Sequence, residues 1–292
     1  MRGDDSQIFA KPIIEIIKSR SSVRTYNNQP LSTAIKEQIK QYISELEGQL
    51  DIKVRFQLID SDVALKESGA RLGTYGMIKG ASSFVAAAVA KDHSSNNIER
   101  LGYLFEKIVL FATSIGLGTC WVAGTLKREE FSKAINLKDD ELLPVITPLG
   151  YSNKSMRLQD RMVKLIAGSK KRKSWDELFY DADFQNSLSQ SEAREYSVPL
   201  EMVRLAPSAS NHQPWRIVKD RDAFHFYLSR TKGYKTRFNF DIQKIDIGIA
   251  MCHFELTSIE RGMAGRWTVQ RPDAKGIPDD TEYIASWVAT GI

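Results

Sequence analysis

Apolar residues recur at two spacings along this chain, and the switching between them predicts a mixed succession of helices and strands. After Pro12, the apolar cluster Ile13, Ile14, Ile16 and Ile17 marks a short helix that breaks in the Ser/Asn-rich residues 19–28. Ser32 is placed to cap a second helix. Its face runs through Ile35, Ile39, Tyr42, Ile43 and Leu46 until Gly48 stops it. Val54, Phe56 and Leu58 alternate with Arg55, Gln57 and Ile59 as in a strand, whereas residues 84–90 form a continuous apolar run suited to a strand buried on both faces. From about Asn97 to Ile115 a wide stripe of Leu101, Leu104, Phe105, Ile108 and Phe111 predicts a central buried helix, ended by Gly116. Residues 119–122 and 145–150 are further strand candidates, with a helix near 127–135 between them.

The second half shows fewer elements. A helix precedes Leu205, strands fall near 216–218 and 224–228, a long helix spans about 241–260, and a strand lies near Trp267. Sliding the chain by 146 residues lays Gly102 on Gly248, Leu110 on Leu256, Gly116 on Gly262 and Trp121 on Trp267. The shared helix–glycine–strand layout suggests two related halves built around a pair of central helices, against a competing reading of chance likeness between two amphipathic helices.

Composition narrows the class without naming a function. The 292 residues are 42% hydrophobic and 26% charged, ordinary for a globular protein with one large or two small domains. The net charge of +5 is uneven: Lys154, Arg157, Arg161, Lys164, Lys170, Lys171, Arg172 and Lys173 share their stretch with one acid, Asp160. Such a run suits an anionic partner or a solvated face, and the lack of aromatics before Trp175 argues against single-stranded nucleic acid. Cys120 and Cys252 form no CxxC or Cys/His cluster, which argues against zinc, iron–sulfur and a disulfide framework. Residues 1–9 carry two acids and no signal-like apolar core, and no apolar run approaches a membrane span. A cytoplasmic protein with no nucleic-acid or membrane partner is the expectation.

Three segments carry the candidate chemistry. Ala206-Pro207-Ser208-Ala209-Ser210-Asn211-His212-Gln213-Pro214-Trp215 places two prolines, small hydroxyls and an amide between an apolar helix and an apolar strand, so the backbone between the prolines is a rigid, irregular cup for a planar ligand. Ser19-Arg20-Ser21-Ser22-Val23-Arg24 sets two guanidinium forks four residues apart with hydroxyls between, a donor set that matches phosphate oxygens and reads equally as a solvated turn. Gly116-Leu117-Gly118-Thr119-Cys120-Trp121-Val122-Ala123-Gly124 lacks the third glycine of a dinucleotide fingerprint and leaves a helix instead of opening one, so a Rossmann site is not expected. His93, His212, His225 and His253 show no ligand spacing, and hydrolase and NTPase motifs are absent from the sequence.

Together these segments resemble the nitroreductase family of flavoproteins, whose wording is Pro-Ser-x-x-Asn-x-Gln-Pro-Trp, Arg-x-Ser-x-Arg and Gly-Leu-Gly-x-Cys-Trp. The resemblance implies an α+β, nitroreductase-like fold with mixed sheets around central helices. It implies FMN as cofactor, held by Arg20, Ser21, Ser22 and Arg24 at the phosphate and ribityl chain. Val122, Ala123 and Gly124 then lie near the reactive edge, and Pro207, Ser208, Ala209 and Asn211 beside the ring. Lys170 and Arg172 resemble the basic pair that reaches the phosphate or pyrimidine in that family. The segment Gly73-Thr74-Tyr75-Gly76 departs from the usual Asn and Lys: Thr74 replaces part of that hydrogen bonding and Met77 cannot replace a cation. This wording is similar to a single-chain branch of Thermotoga type.

Family members are homodimers in which one subunit gives the arginine loop and the other the proline turn. Here the loop stands only in the first half and the turn only in the second, so a single-chain pseudo-dimer with one complete site is expected, with halves at 1–182 and 183–292 and a monomer as the working unit. Whether such monomers pair further stays open. The implied activity is hydride transfer from NADH or NADPH to a small electron acceptor such as a nitroaromatic or quinone, in ping-pong fashion, with the flavin rather than a side chain carrying the chemistry. The alternative is a non-catalytic FMN-binding protein that stores flavin or senses its redox state.

Overall fold

The structure is a computed structural model that describes residues 9–48, 54–91, 97–153, 171–234 and 240–290. By internal packing the chain divides into two compact units, Ser19–Leu165 and Met1–Lys18 with Ile166–Ile292. The described residues 9–18 and 171–182 thus belong to the unit that holds the C-terminal stretch.

In the unit Ser19–Leu165, α2 (Thr33–Gly48) begins where expected, with Ile35 N–H donating to Ser32 Oγ at 3.3 Å. An antiparallel sheet follows, in the order β1 (Val54–Asp60), β2 (Ser83–Ala90), β3 (Glu141–Leu149). The middle place belongs to β2, the continuously apolar run, which is buried from Ser83 through Val89. The central helix α4 (Asn97–Ser114) brings Phe105 to 5.9 Å from Phe56 and 4.8 Å from Trp121, while Tyr42 of α2 stacks on Phe111 at 4.3 Å. Two short helices complete it, α3 (Ser61–Ser68) and α5 (Arg128–Ala134). The pattern of apolar residues gave no sign of α3, because only Ala64 of its eight residues is buried. Residues 119–122 pair only through isolated bridges, Val122 with Ile146 and Ser22 with Thr119, instead of forming a full strand.

The other unit opens with α1 (Ile13–Ser19), whose first amides, Ile13 and Ile14, donate to the Glu260 carboxylate. Its later elements are α6 (Trp175–Leu178), β4 (Phe179–Asp181), α7 (Ser197–Arg204), β5 (Trp215–Asp220), β6 (Ala223–Ser229), the central helix α8 (Ile242–Glu260), β7 (Gly265–Thr268) and β8 (Thr281–Ala289). The sheet order is β4-β5-β6-β8-β7, with β4 parallel to β5 and every other pair antiparallel. Both β4 and β8 escape the sequence reading. Yet β8 sits inside the sheet, and its Trp287 is fully buried where Gly265 leaves room: a Cβ on Gly265 would stand 2.3 Å from the indole.

Two local features recur in both units. Helix α4 ends with Gly116 N–H donating to Thr113 O and Leu117 N–H to Ala112 O, the paired bonds of a Schellman stop, and α8 ends with Gly262 to Ile259 and Met263 to Ser258. Both glycines are left-handed, at φ 87° and 77°. The strand register also slips at matching places, beyond Ala87 opposite Val145 and beyond Phe226 opposite Ala285. One difference bears on function. Residues 61–82 join β1 to β2, whereas Asp220 faces Ala223 across a hairpin loop of Arg221 and Asp222 alone.

Candidate functional site

The arginine loop is held by backbone pairing to three separate segments of its unit. Val23 N–H donates to Thr119 O at 2.8 Å, Lys79 N–H to Arg24 O at 2.8 Å, Tyr26 N–H to Lys79 O at 2.9 Å, and Asn153 N–H to Thr25 O at 3.1 Å. Glycines make these approaches possible. A Cβ on Gly118 would lie 2.9 Å from Val23 Cγ2, one on Gly80 2.5 Å from Tyr26 O, and one on Gly150 2.9 Å from the Tyr26 ring. So Gly118 serves to admit the arginine loop, and its own N–H donates to Gly150 O.

The loop leaves strong donors unsatisfied. Arg20 Nε and Nη1 and Arg24 Nε are buried with no hydrogen-bond partner, while Ser22 is half-buried and Ser21 exposed beside them. Burying guanidinium N–H groups without acceptors is costly, so a phosphate-like anion is the chemistry this donor set fits.

Two further predicted segments converge on the same loop. Thr74 is buried, and its Oγ1 accepts from Ile78 N–H at 2.9 Å while its carbonyl accepts from Met77 N–H at 2.9 Å. One lone pair of the hydroxyl is therefore engaged within the turn, which carries an exposed Tyr75 at φ 48°. Val122 is buried with both backbone groups bonded to Ile146, which leaves Ala123 and the exposed Gly124 as the accessible part of that segment. Arg128, at the start of α5, donates from Nη2 to Ala123 O at 3.0 Å, and its burial lowers its pKa. The sequence reading missed it, since a single arginine opening a helix carries no motif.

The proline turn is braced from several sides within its own unit. Ser208 Oγ accepts from Gln213 N–H at 2.9 Å, and Ser210, Asn211 and Gln213 all adopt left-handed backbones, φ 50°, 57° and 49°. Arg172 donates from Nη1 to Ala206 O at 2.7 Å and Asn211 Oδ1 at 3.1 Å, and from Nη2 to Leu205 O at 2.8 Å. Asn211 Nδ2 in turn donates to Lys171 O at 2.9 Å. The structure thus brings Arg172 and Asn211 together, as a clamp that closes the C-terminal end of α7 onto the turn. Lys170 lies outside the described residues, as does most of the basic run.

Several titrating groups crowd this clamp. Burial, then the Arg216 charge, lowers the pKa of Lys173, and burial followed by Lys173 lowers that of His212. Gln213, whose side chain accepts from Lys173 N–H at 2.8 Å and donates to Lys171 O at 3.2 Å, was read only as part of a motif. Asp246, which accepts from Ala209 N–H at 2.9 Å, was not singled out at all. An acid flanked by Ile245 and Ile247 near the start of α8 was the available signal.

Among the described residues, no group of three His, Cys, Asp or Glu is placed to hold a metal, both cysteines are buried and neither is in a disulfide, and no helix is long and apolar enough to cross a membrane. Comparison with solved structures finds a putative nitroreductase of Thermotoga maritima, 21% identical, with 96% of this chain and 94% of that chain covered and a TM-score of 0.56. About half of the chain also matches smaller proteins. One is a Bacteroides thetaiotaomicron protein described as a putative NADH dehydrogenase/NAD(P)H nitroreductase, 23% identical, covering 49% of this chain and 88% of that chain with a TM-score of 0.40. Another is a Desulfitobacterium hafniense nitroreductase with bound FMN, 19% identical, covering 49% and 90% with a TM-score of 0.39. No curated protein matches. The whole-chain likeness shows the nitroreductase-like α+β fold. With a family model described as "Putative TM nitroreductase" matching residues 12–258, the chain belongs to that nitroreductase family.

Proposed function

We propose that this protein is an FMN-dependent oxidoreductase that takes reducing equivalents from NADH or NADPH and passes them to a small electron-poor acceptor such as a nitroaromatic or quinone. Family membership supports an oxidoreductase. The observation that carries the cofactor is the set of buried, unpartnered guanidinium nitrogens on Arg20 and Arg24, which an FMN phosphate would satisfy. When bound, FMN would supply the hydride acceptance and return that no side chain here offers.

The residues divide the remaining work. Arg20 and Arg24, with Ser21 and Ser22, bind the phosphate end, and Ala123 and Gly124, steadied by Arg128, border the ring. Pro207, Ser208 and Ala209 contribute a preorganised turn, with Asn211 and Arg172 fixing its shape. Lys170 is proposed as an additional cation near the phosphate or pyrimidine.

The halves 1–182 and 183–292 form a pseudo-dimer in this reading, and the monomer is the cytoplasmic working unit. The segment 61–82, with Thr74, has no counterpart between β5 and β6, which supports one site per chain instead of two. A second reading, flavin storage or redox sensing without turnover, draws on Thr74, whose hydroxyl already accepts from Ile78 N–H.

Anaerobic spectroscopy of the purified protein separates the two. The enzyme reading expects a yellow protein bleached by NADH or NADPH and recoloured by a quinone. A chromophore that neither nucleotide bleaches refutes direct nicotinamide turnover.

A further inference from the structure

Asp246 sits near the N-terminal end of α8, 2% exposed, in a helix whose buried face is otherwise largely apolar. Its Oδ1 accepts from Ala209 N–H at 2.9 Å, whereas its Oδ2 is buried with no partner. An ionised carboxylate with a single hydrogen bond in such a place is strongly disfavoured. Accordingly, burial, helped by repulsion from Asp241, holds the Asp246 carboxyl well above the usual carboxylate range against the pull of the Ala209 amide.

The bond to Ala209 matters because the turn it holds is strained. Ser210, Asn211 and Gln213 carry left-handed backbones without being glycine, a conformation that persists only when surrounding contacts over-determine it. Arg172 and Ser208 brace the turn from its flanks. Asp246 braces it from the central helix.

We propose that Asp246 is a positioning residue for the flavin site, fixing the turn in its ligand-ready shape by accepting from the Ala209 amide out of the buried face of α8. This rests on the FMN reading above. Most other charged groups on elements packed against α8 have partners of their own. Glu201 and Arg204 of α7 pair with each other at 2.7 Å. On β5, Arg216 donates to Trp215 O and Gln213 O, and Lys219 and Asp220 stand at the hairpin end. His225 and Tyr227 lie on β6, His225 bonded to Ser286 and Tyr227 with its phenol pushed up to about 12 by burial. His212, just past the turn, packs on Tyr234. At the N-cap of α8 Asp241 pairs with Arg230, and on the helix itself Lys244 pairs with Glu282, His253 with Met202 O, Glu255 with Trp267, and Glu260 with the start of α1.

The test titrates FMN into apo-protein for the wild type, Asp246→Asn and Asp246→Ala. Asp246→Asn keeps a neutral acceptor, so it should bind within about threefold of wild type at neutral pH, while Asp246→Ala should raise the Kd at least ~10-fold. Once pH is high enough to ionise the acid, its unpartnered Oδ2 must draw water into the buried site and loosen the turn, so the wild type should lose affinity on the alkaline side and Asp246→Asn should not. Equal FMN affinity in Asp246→Ala, or parallel pH profiles for wild type and Asp246→Asn, overturns the proposal. Hydrogen exchange across residues 205–214 provides a readout independent of flavin: Asp246→Ala should lose protection that Asp246→Asn keeps, and unchanged exchange in the alanine variant also overturns it. Should Asp246→Ala fail to fold, the pH comparison between wild type and Asp246→Asn decides. A wild-type protein that binds no FMN refutes the flavin reading instead, and the exchange experiment still tests the brace.

Discussion

Replacing Arg20 by methionine, which keeps the apolar stem and removes the fork, tests the proposed phosphate site through two effects of opposite sign. Two buried nitrogens of Arg20, Nε and Nη1, have no partner within the protein. If each makes one charge-assisted bond to FMN phosphate, the lower end of about 1.5 kcal/mol apiece makes their loss worth about 3 kcal/mol, a rise in Kd of roughly 150-fold. In the apo-protein the same change removes buried unsatisfied donors, so thermal stability should hold or increase. Fluorescence titration with FMN and with riboflavin separates phosphate recognition from ring recognition: the wild type should favour FMN strongly, and Arg20→Met should bring the two affinities together. A variant that keeps the full preference for FMN refutes the assignment of Arg20, and one that loses both ligands equally points to ring contacts instead.

Two further changes probe the scaffold. Gly118→Ala places a methyl 2.9 Å from Val23 Cγ2, and should destabilise the protein by about 1–3 kcal/mol while weakening flavin binding; Val23→Ala in the same chain should recover much of both, as a double-mutant cycle would measure. Arg55 and Glu141 join β1 to β3 at 2.7 Å, and the guanidinium hydrogen bond holds the Glu141 carboxyl below its usual pKa. A carboxyl depressed in the folded state stabilises above its unfolded pKa and ceases to do so as pH falls through the folded value. Glu141→Gln should therefore lower stability by about 1 kcal/mol at pH 7, and the gap in thermal midpoint should close as pH falls from the usual carboxylate range through the depressed folded pKa. A gap that persists in acid refutes the pair as its source.

Much of the fold was legible because its signals are local. The limits of α2, α4 and α8 followed from apolar stripes and from Ser32, Gly116 and Gly262, and the buried character of β2 followed from its unbroken apolar run. Where the signal was not local the reading stopped. Nothing in the spacing of residues 281–289 announced a strand that is buried by pairing with β6 and β7, or a parallel strand at 179–181 whose partner lies more than thirty residues onward.

The candidate site divides along the same line. Residue order alone determined that Pro207 and Pro214 bound an irregular turn, that Arg20 and Arg24 form a phosphate-matched pair, and that loop and turn each occur once, in opposite halves. These are statements about backbone preference and donor chemistry, which neighbours in sequence settle. Only the tertiary structure decided that Gly80, Gly118 and Gly150 exist to let the arginine loop in, that Arg172 and Asn211 close on each other, and that a buried Asp246 holds Ala209. Those roles depend on which distant backbone passes within a few ångströms and on which charge loses its water, and a linear pattern of residue types specifies neither.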